Sequence, residues 1–212
     1  METEFMRKFY LVFFILLICS ASFGQSSAFK ITKEYFRSDP FQNEFSSFLK
    51  HLLNDPSLTN KVLEKRTDTS LFYFQGTYTS HNPFFFKPER VEVILAESVV
   101  EQDSLIIDTI YIYQLFAYNK DTKEGAQELK KEFEKIHRRY KNSFFKTSFS
   151  ENPDGNKLKD ASYNFFDPYH AVAPFSVSWL APDENKEICL VLTIRMQTKN
   201  NKAVLPIPLY AP

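Results

Sequence analysis

The sequence contains very little glycine, and this scarcity excludes several familiar kinds of protein. Only 4 of its 212 residues are glycine, and none of them belongs to a glycine-rich phosphate-binding motif or to the G-x-S-x-G motif of serine hydrolases. Scarce glycine also argues against propellers and other repeat folds. Any function must therefore come from a site without a glycine-loop signature.

An excess of charge is also absent. The 26 basic residues are balanced by 26 acidic ones, so the formal net charge at pH 7 is zero. Binding of nucleic acids or anionic membranes depends largely on clustered lysine and arginine. We therefore expect no nucleic-acid partner and no electrostatic attachment to lipid.

The N-terminus is the strongest signal in the sequence. An uncharged apolar run from Phe9 to Cys19 follows Arg7 and Lys8, and small residues then lead to Gly24. This order is typical of a secretory signal peptide, predicted over residues 1–24 with cleavage between Gly24 and Gln25. Because two glutamates near the start neutralise the basic residues, Met6 is an alternative true start.

Two other interpretations of this N-terminal segment have weaker support. A membrane-spanning helix requires about 20 apolar residues, and this run is shorter, so we expect no stable membrane span after cleavage. A lipoprotein signal would place a small residue before the modified cysteine, whereas Ile18 precedes Cys19. Export with cleavage therefore remains the leading interpretation, beside retention as an anchor and lipidation at Cys19.

Cysteine is scarce too. Only Cys189 remains after removal of residues 1–24, so the mature chain cannot form an internal disulfide. Small secreted domains of eukaryotes usually depend on disulfides. We therefore expect a protein of the bacterial envelope, periplasmic or secreted, with residues 25–212 forming one domain.

Helical periodicity appears at two places. Asp39 and Pro40 favour the start of an N-terminal helix that contains Phe45, Phe48 and Leu52, and a second short helix is predicted through Leu58, Val62 and Leu63. The clearest helix extends over residues 121–144, where Asp121 and Glu124 have the spacing of a capping box. Its apolar stripe contains Ala126, Leu129, Phe133, Ile136, Tyr140 and Phe144.

Aromatic and β-branched residues predict the strands. They cover residues 71–79, 90–100, 104–118, 175–180 and 187–198. Residues 203–212 contain three prolines and are therefore predicted as an edge strand or an extended tail. Short polar turns between strands indicate antiparallel pairing. The predicted fold is α+β: an antiparallel, curved sheet of about six strands, packed by one long helix and an N-terminal helix pair.

The common catalytic and metal-binding patterns are weak. His51 and Asp55 have the i, i+4 spacing of two ligands, but zinc sites need three or four, and a hydrogen bond at a helix end explains the pair as well. Cys189 lies within an apolar strand, where a buried unreactive thiol is typical. No catalytic residue, metal site or cofactor is predicted.

Aromatic residues are abundant, and two loops concentrate them. One reads HNPFFF over residues 81–86, and the other reads YNFFDPYH from Tyr163 to His170, shortly before Trp179. Exposed rings beside polar groups are typical of recognition surfaces, although rings in so aromatic a chain also serve to fill a core. The candidate ligand-binding residues are Tyr163, Phe166, Asp167, Tyr169, His170 and Trp179.

These features favour an exported, non-catalytic domain that binds a small molecule or an envelope protein. One alternative is an envelope hydrolase in which Asp167 orients His170 as the base, although no nucleophile is identified. Another is a structural subunit of an envelope assembly that docks through its C-terminal segment.

Overall fold

A computed structural model describes residues 23–41, 45–65, 72–102, 105–154, 157–166, 172–180 and 187–197. These residues contain three α-helices, namely α1 (Phe23–Tyr35), α2 (Phe45–Asn54) and α3 (Lys123–Tyr140). They also contain eight strands: β1 (Leu58–Lys65), β2 (Phe72–Tyr78), β3 (Arg90–Gln102), β4 (Leu105–Lys120), β5 (Lys146–Asp154), β6 (Lys157–Phe166), β7 (Phe175–Leu180) and β8 (Glu187–Gln197).

All eight strands form one antiparallel sheet in the order β1-β2-β3-β4-β8-β7-β6-β5. Strands β1 to β4 run in sequence from one edge of the sheet to its centre. After α3, strands β5 to β8 run in sequence from the opposite edge back to the centre. The halves meet where β4 pairs with β8, from Ile110 opposite Gln197 to Lys120 opposite Glu187. This pairing brings residues distant in sequence together at the centre of the sheet.

The two faces of the sheet have different environments. Alternate residues of β2, β3, β4, β6, β7 and β8, such as Leu95 and Leu192, pack with Ile31 of α1, Leu52 of α2 and Ile136 of α3 in one hydrophobic core. The other face carries the intervening side chains, because successive residues of a strand point to opposite sides. The described helices all pack on the first face. We call the second one the open face.

Helix α3 confirms the clearest prediction from the sequence. Leu129, Phe133, Ile136 and Tyr140 are buried against the sheet. The predicted cap is displaced by one residue, since the hydroxyl of Thr122 accepts a hydrogen bond from the Gly125 amide at 3.0 Å. The amphipathic stripe thus locates the helix correctly, whereas its start depends on one side chain.

The prediction of about six strands in a curved sheet is only partly right, because the sheet has eight strands. Residues 58–65 form edge strand β1, where a second short helix was predicted. The spacing of Leu58, Val62 and Leu63 suits a helix equally well, so pairing with β2 decides the conformation. Strands β5 and β6, which pair from Lys146 opposite Phe166 to Asp154 opposite Lys157, were not predicted.

Helix α1 was not predicted either. Its sequence shows little apolar periodicity, because only Ala28, Ile31 and Tyr35 among its described side chains are apolar and fully buried. Predictions for residues 1–22 and for the C-terminal segment 203–212 lie outside the described residues. Within the described residues, no helix has the length and apolar character needed to cross a membrane.

Candidate ligand-binding groove

The structure separates three of the predicted ligand-binding residues. Tyr163 and Trp179 lie on the core face, where Tyr163 stacks on His137 with ring centroids 3.8 Å apart. Phe166 follows Tyr163 by three positions in the same strand, so it lies on the open face, half-buried. These three rings therefore do not line a common pocket, while Asp167, Tyr169 and His170 lie outside the described residues.

The first aromatic loop uses most of its rings for packing. The Asn82 side chain accepts a hydrogen bond from the Phe84 amide and donates one to the Phe86 carbonyl, both at 3.0 Å. Phe84 and Phe86 are buried, whereas Phe85 is 83% exposed with the Lys135 ammonium 3.1 Å from its ring centroid. A single exposed ring does not form a ligand-binding surface.

His81 in this loop predicts a measurable pH dependence of stability. Its Nε2 lies 2.7 Å from the Tyr35 carbonyl oxygen, and burial lowers its pKa below 6.5 despite that contact and Asp55. The folded protein therefore takes up this proton less readily than the unfolded chain, so stability declines as the pH falls below about 6.5.

We expect wild-type protein to lose more unfolding free energy than His81→Gln between about pH 7.5 and pH 5.5. Urea unfolding across this range measures the difference. The pKa of His137 is also lowered by burial, but this residue contributes to both proteins alike. Parallel pH profiles would contradict the prediction.

Two other candidates from the sequence have structural roles. Cys189 is 4% exposed, and burial raises the pKa of its thiol far above neutral pH, which disfavours the thiolate. The Asp55 carboxylate accepts hydrogen bonds from the Ser57 amide and hydroxyl. Among the described residues, no three histidine, cysteine or acidic side chains are arranged to hold a metal ion.

A cleft of about 290 Å³ lies beside Asp55. Its lining includes Arg37, His51 and Asp55, so the fold does bring a histidine, a carboxylate and a cation together. However, the Arg37 guanidinium is 3.9 Å from the Asp55 carboxylate, whose pKa is lowered by its hydrogen bonds to Ser57 in spite of burial. The charges in this cleft compensate one another.

A second hollow, of about 190 Å³, lies on the open face where β4, β8, β7 and β6 run side by side. We call it the groove. Its apolar lining is supplied by Phe116, Leu180 and Val191. Its polar lining consists of Gln114, Ser162, Asn164, Ser176, Ser178, Thr193 and Arg195.

Strand pairing positions these polar side chains in adjacent rows. Asn164 lies opposite Ser176, Ser176 opposite Thr193, and Thr193 opposite Gln114. The next row begins with Ser162 opposite Ser178. A run of polar residues thus crosses four strands at the middle of the sheet.

Hydrogen bonds within the groove leave the Asn164 side chain available. The Gln114 amide donates to the Thr193 hydroxyl at 3.1 Å, and the Ser162 and Ser178 hydroxyl oxygens are 2.5 Å apart. The Asn164 amide has no hydrogen-bond partner among the residues that the structure describes. The lining can therefore donate to and accept from a further molecule.

Arg195 is the one charged residue among the described lining of the groove. One of its terminal nitrogens, Nη1, donates to the Ala173 carbonyl at 3.0 Å and to the Ser176 hydroxyl at 3.1 Å. The side chain is half-buried, and burial lowers the pKa of its guanidinium, which nevertheless stays charged at neutral pH. Within the described part of the chain, no carboxylate lies at ion-pair distance from it.

Arg90, on the same face, shows the more usual arrangement, in which a partly buried arginine pairs with carboxylates. Its guanidinium lies 2.7 Å from the Glu92 carboxylate, pairs with Glu187 through two contacts of 3.0 and 3.1 Å, and stacks on Tyr118. Glu187 is eight residues from Arg195 along β8, or about 26 Å at the rise of a strand. Glu92 and Glu187 thus compensate Arg90, whereas Arg195 has no such carboxylate among the described residues.

The sequence carried a signal for this groove that our prediction did not use. In FSVSWL, residues 175–180, large apolar side chains alternate with Ser176 and Ser178. Such alternation indicates one face in the core and another of different chemistry. Gln114 similarly interrupts the long apolar run of β4. Which strands bring these residues together was not readable from the sequence.

Comparison with known proteins does not identify the chain: no family model, no curated protein and no solved structure matches it. Interpretation of the groove therefore rests on its own geometry and chemistry.

Proposed function

We propose that this protein is an exported, non-catalytic domain that binds a small polar molecule in the groove. The observation that carries the proposal is the convergence of small hydroxyl and amide side chains from four strands around one hollow. A polar cluster at the centre of a sheet contributes little to a hydrophobic core. Ligand sites, in contrast, combine an apolar lining with a few polar groups that orient the ligand.

The dimensions of the groove restrict the ligand. Its volume of about 190 Å³ equals that of about six water molecules in the liquid. Ser162, Ser176 and Ser178 are small, so they supply hydrogen bonds without filling the space. Phe116 and Leu180 offer apolar contact beside them. A compact hydroxylated molecule suits this lining better than a peptide or a long acyl chain.

Export is the second part of the proposal, and it rests on the signal sequence predicted over residues 1–24. Helix α1 begins at Phe23, so cleavage between Gly24 and Gln25 would remove its first two residues and keep the residues that pack. Ser27 is buried and its hydroxyl donates to the Ser143 carbonyl at 2.9 Å, while Ala28 is 2% exposed. Burial also protects the thiol of Cys189 in an oxidising compartment.

A substitution that fills the groove tests the binding function. We expect Ser178→Trp to abolish binding of small polar ligands while the protein stays folded, because an indole would occupy the hollow. Screening a panel of sugars, hydroxy acids and amino acids by NMR, with backbone amides of β6, β7 and β8 as reporters, measures the effect.

Thr77→Trp is the matched control. Thr77 lies on the open face in β2, two strands from β4 or about 10 Å, and does not line the groove. It should leave binding unchanged. Equal binding by wild-type protein and Ser178→Trp, or chemical-shift changes confined to other surfaces, would contradict the proposed function.

A further inference from the structure

We infer that the ligand of the groove is a carboxylate, carried by a compact hydroxylated molecule such as a sugar acid, and that Arg195 binds its carboxyl group. This inference rests on the proposed function and specifies its ligand class.

The charge of Arg195 is the first argument. A half-buried guanidinium loses hydration, and this loss is normally offset by a carboxylate that accepts its hydrogen bonds. Arg90 on the same face has two such partners, Glu92 and Glu187. Within the described residues, Arg195 contacts only a carbonyl and a hydroxyl. An anionic ligand would supply the missing acceptor.

The position of the guanidinium is the second argument. Its Nη1 is held on one side by Ala173 and Ser176, which fixes the planar group at one end of the groove. A planar fork held in this way matches the two oxygens of a carboxylate. The described lining residues include no lysine and no second arginine. A single positive charge compensates a carboxylate fully but leaves a doubly charged phosphate undercompensated.

The other lining residues indicate what the carboxylate is attached to. Asn164, Ser178 and Gln114 offer amide and hydroxyl groups at neighbouring positions, which suit ligand hydroxyls. Among the described lining residues there is no carboxylate, so the groove lacks the usual acceptor for an ammonium group. A hydroxylated acid therefore fits better than an amino acid.

The test compares D-glucuronate with D-glucose, which differ in one carboxylate, and adds inorganic phosphate as a second anion. Isothermal titration calorimetry of the purified protein, in a buffer free of carboxylates, measures the affinities. We expect glucuronate to bind at least about 10-fold more tightly than either glucose or phosphate. Arg195→Gln should weaken glucuronate binding about 10- to 100-fold, the range for loss of a hydrogen bond to a charged group, and weaken glucose binding by a clearly smaller factor.

Three further variants isolate the charge. Arg195→Lys keeps the charge without the fork and should lose less affinity than Arg195→Gln. Arg138→Gln removes an exposed arginine of α3 and should have no effect. Asp167→Asn tests for an internal ion pair, because Asp167 follows strand β6 in the sequence and lies outside the described residues. If Arg195 is free to bind a ligand, the losses of thermal stability in Arg195→Gln and Asp167→Asn should be unequal and additive.

The outcomes separate this inference from the proposed function. Equal binding of glucose and glucuronate in the groove, or tighter binding of phosphate, would refute the carboxylate while leaving a polar ligand site. Equal, non-additive losses of stability in Arg195→Gln and Asp167→Asn would identify an internal ion pair and also refute it. Absence of groove binding by the whole NMR panel would refute the proposed function itself.

Discussion

Phe175→Ala should reduce the free energy of unfolding by about 3–5 kcal/mol, the usual cost of truncating a buried phenylalanine. Phe175 is fully buried at the junction of the sheet and α3. Its ring lies 5.0 Å from that of Phe165 and 6.2 Å from that of Tyr140, by centroids. Truncation would leave a cavity among rigid rings that cannot easily collapse into it. Because domains are stable by only about 5–15 kcal/mol, this loss is severe.

Urea unfolding followed by fluorescence measures the change, because Trp179 is the only tryptophan and lies in the same strand. Phe85→Ala is the matched control: its ring is 83% exposed, and loss of its contact with Lys135 should cost less than about 1 kcal/mol. Similar losses in the two variants would mean that Phe175 does not lie in a packed core.

Gly125→Ala should destabilise the protein by about 1–3 kcal/mol, although the same change stabilises most helices by about 1 kcal/mol. Gly125 is buried in the first turn of α3. An added Cβ would lie 2.4 Å from the Lys120 carbonyl oxygen, closer than non-bonded atoms approach. Relief would require movement of the turn that joins β4 to α3, and with it the cap from Thr122 to the Gly125 amide.

Gly76→Ala provides the comparison. Gly76 lies in β2, and the atom nearest to its added Cβ would be Leu58 Cδ2 at 3.4 Å, an ordinary contact. We expect a change within about 1 kcal/mol, with a gain from reduced freedom of the unfolded chain. Thermal unfolding of both variants gives the ranking. Stabilisation by Gly125→Ala would contradict the prediction, because it would mean that the turn between β4 and α3 rearranges without loss of stability.

The elements that were predicted correctly are those whose sequence pattern fits only one type of secondary structure. The stripe of α3 has period 3.6 over 18 residues with charged residues on its other faces, and no strand can bury such a pattern. Strands β3, β4, β7 and β8 are similarly dominated by apolar and β-branched residues. For these segments local preference and tertiary packing agree, so the sequence is sufficient to predict their secondary structure.

The elements that were missed depend on partners. Edge strand β1 exposes Val62 and Leu63, so its few apolar residues fit a helix or a strand. In β6, Tyr163 and Phe166 read as one aromatic loop, but the strand conformation sends them to opposite faces. An interpretation based on closeness in sequence therefore joined residues that the fold separates.

Composition and local periodicity were sufficient to identify the α+β class and the long amphipathic helix, and they predict an export signal and a mature chain without internal disulfides. The meeting of the two halves of the sheet at β4 and β8 emerged from the folded structure alone, since strand order depends on packing between distant segments. That pairing collects Gln114, Ser176, Ser178 and Thr193 in one groove and leaves Arg195 there without a described carboxylate partner.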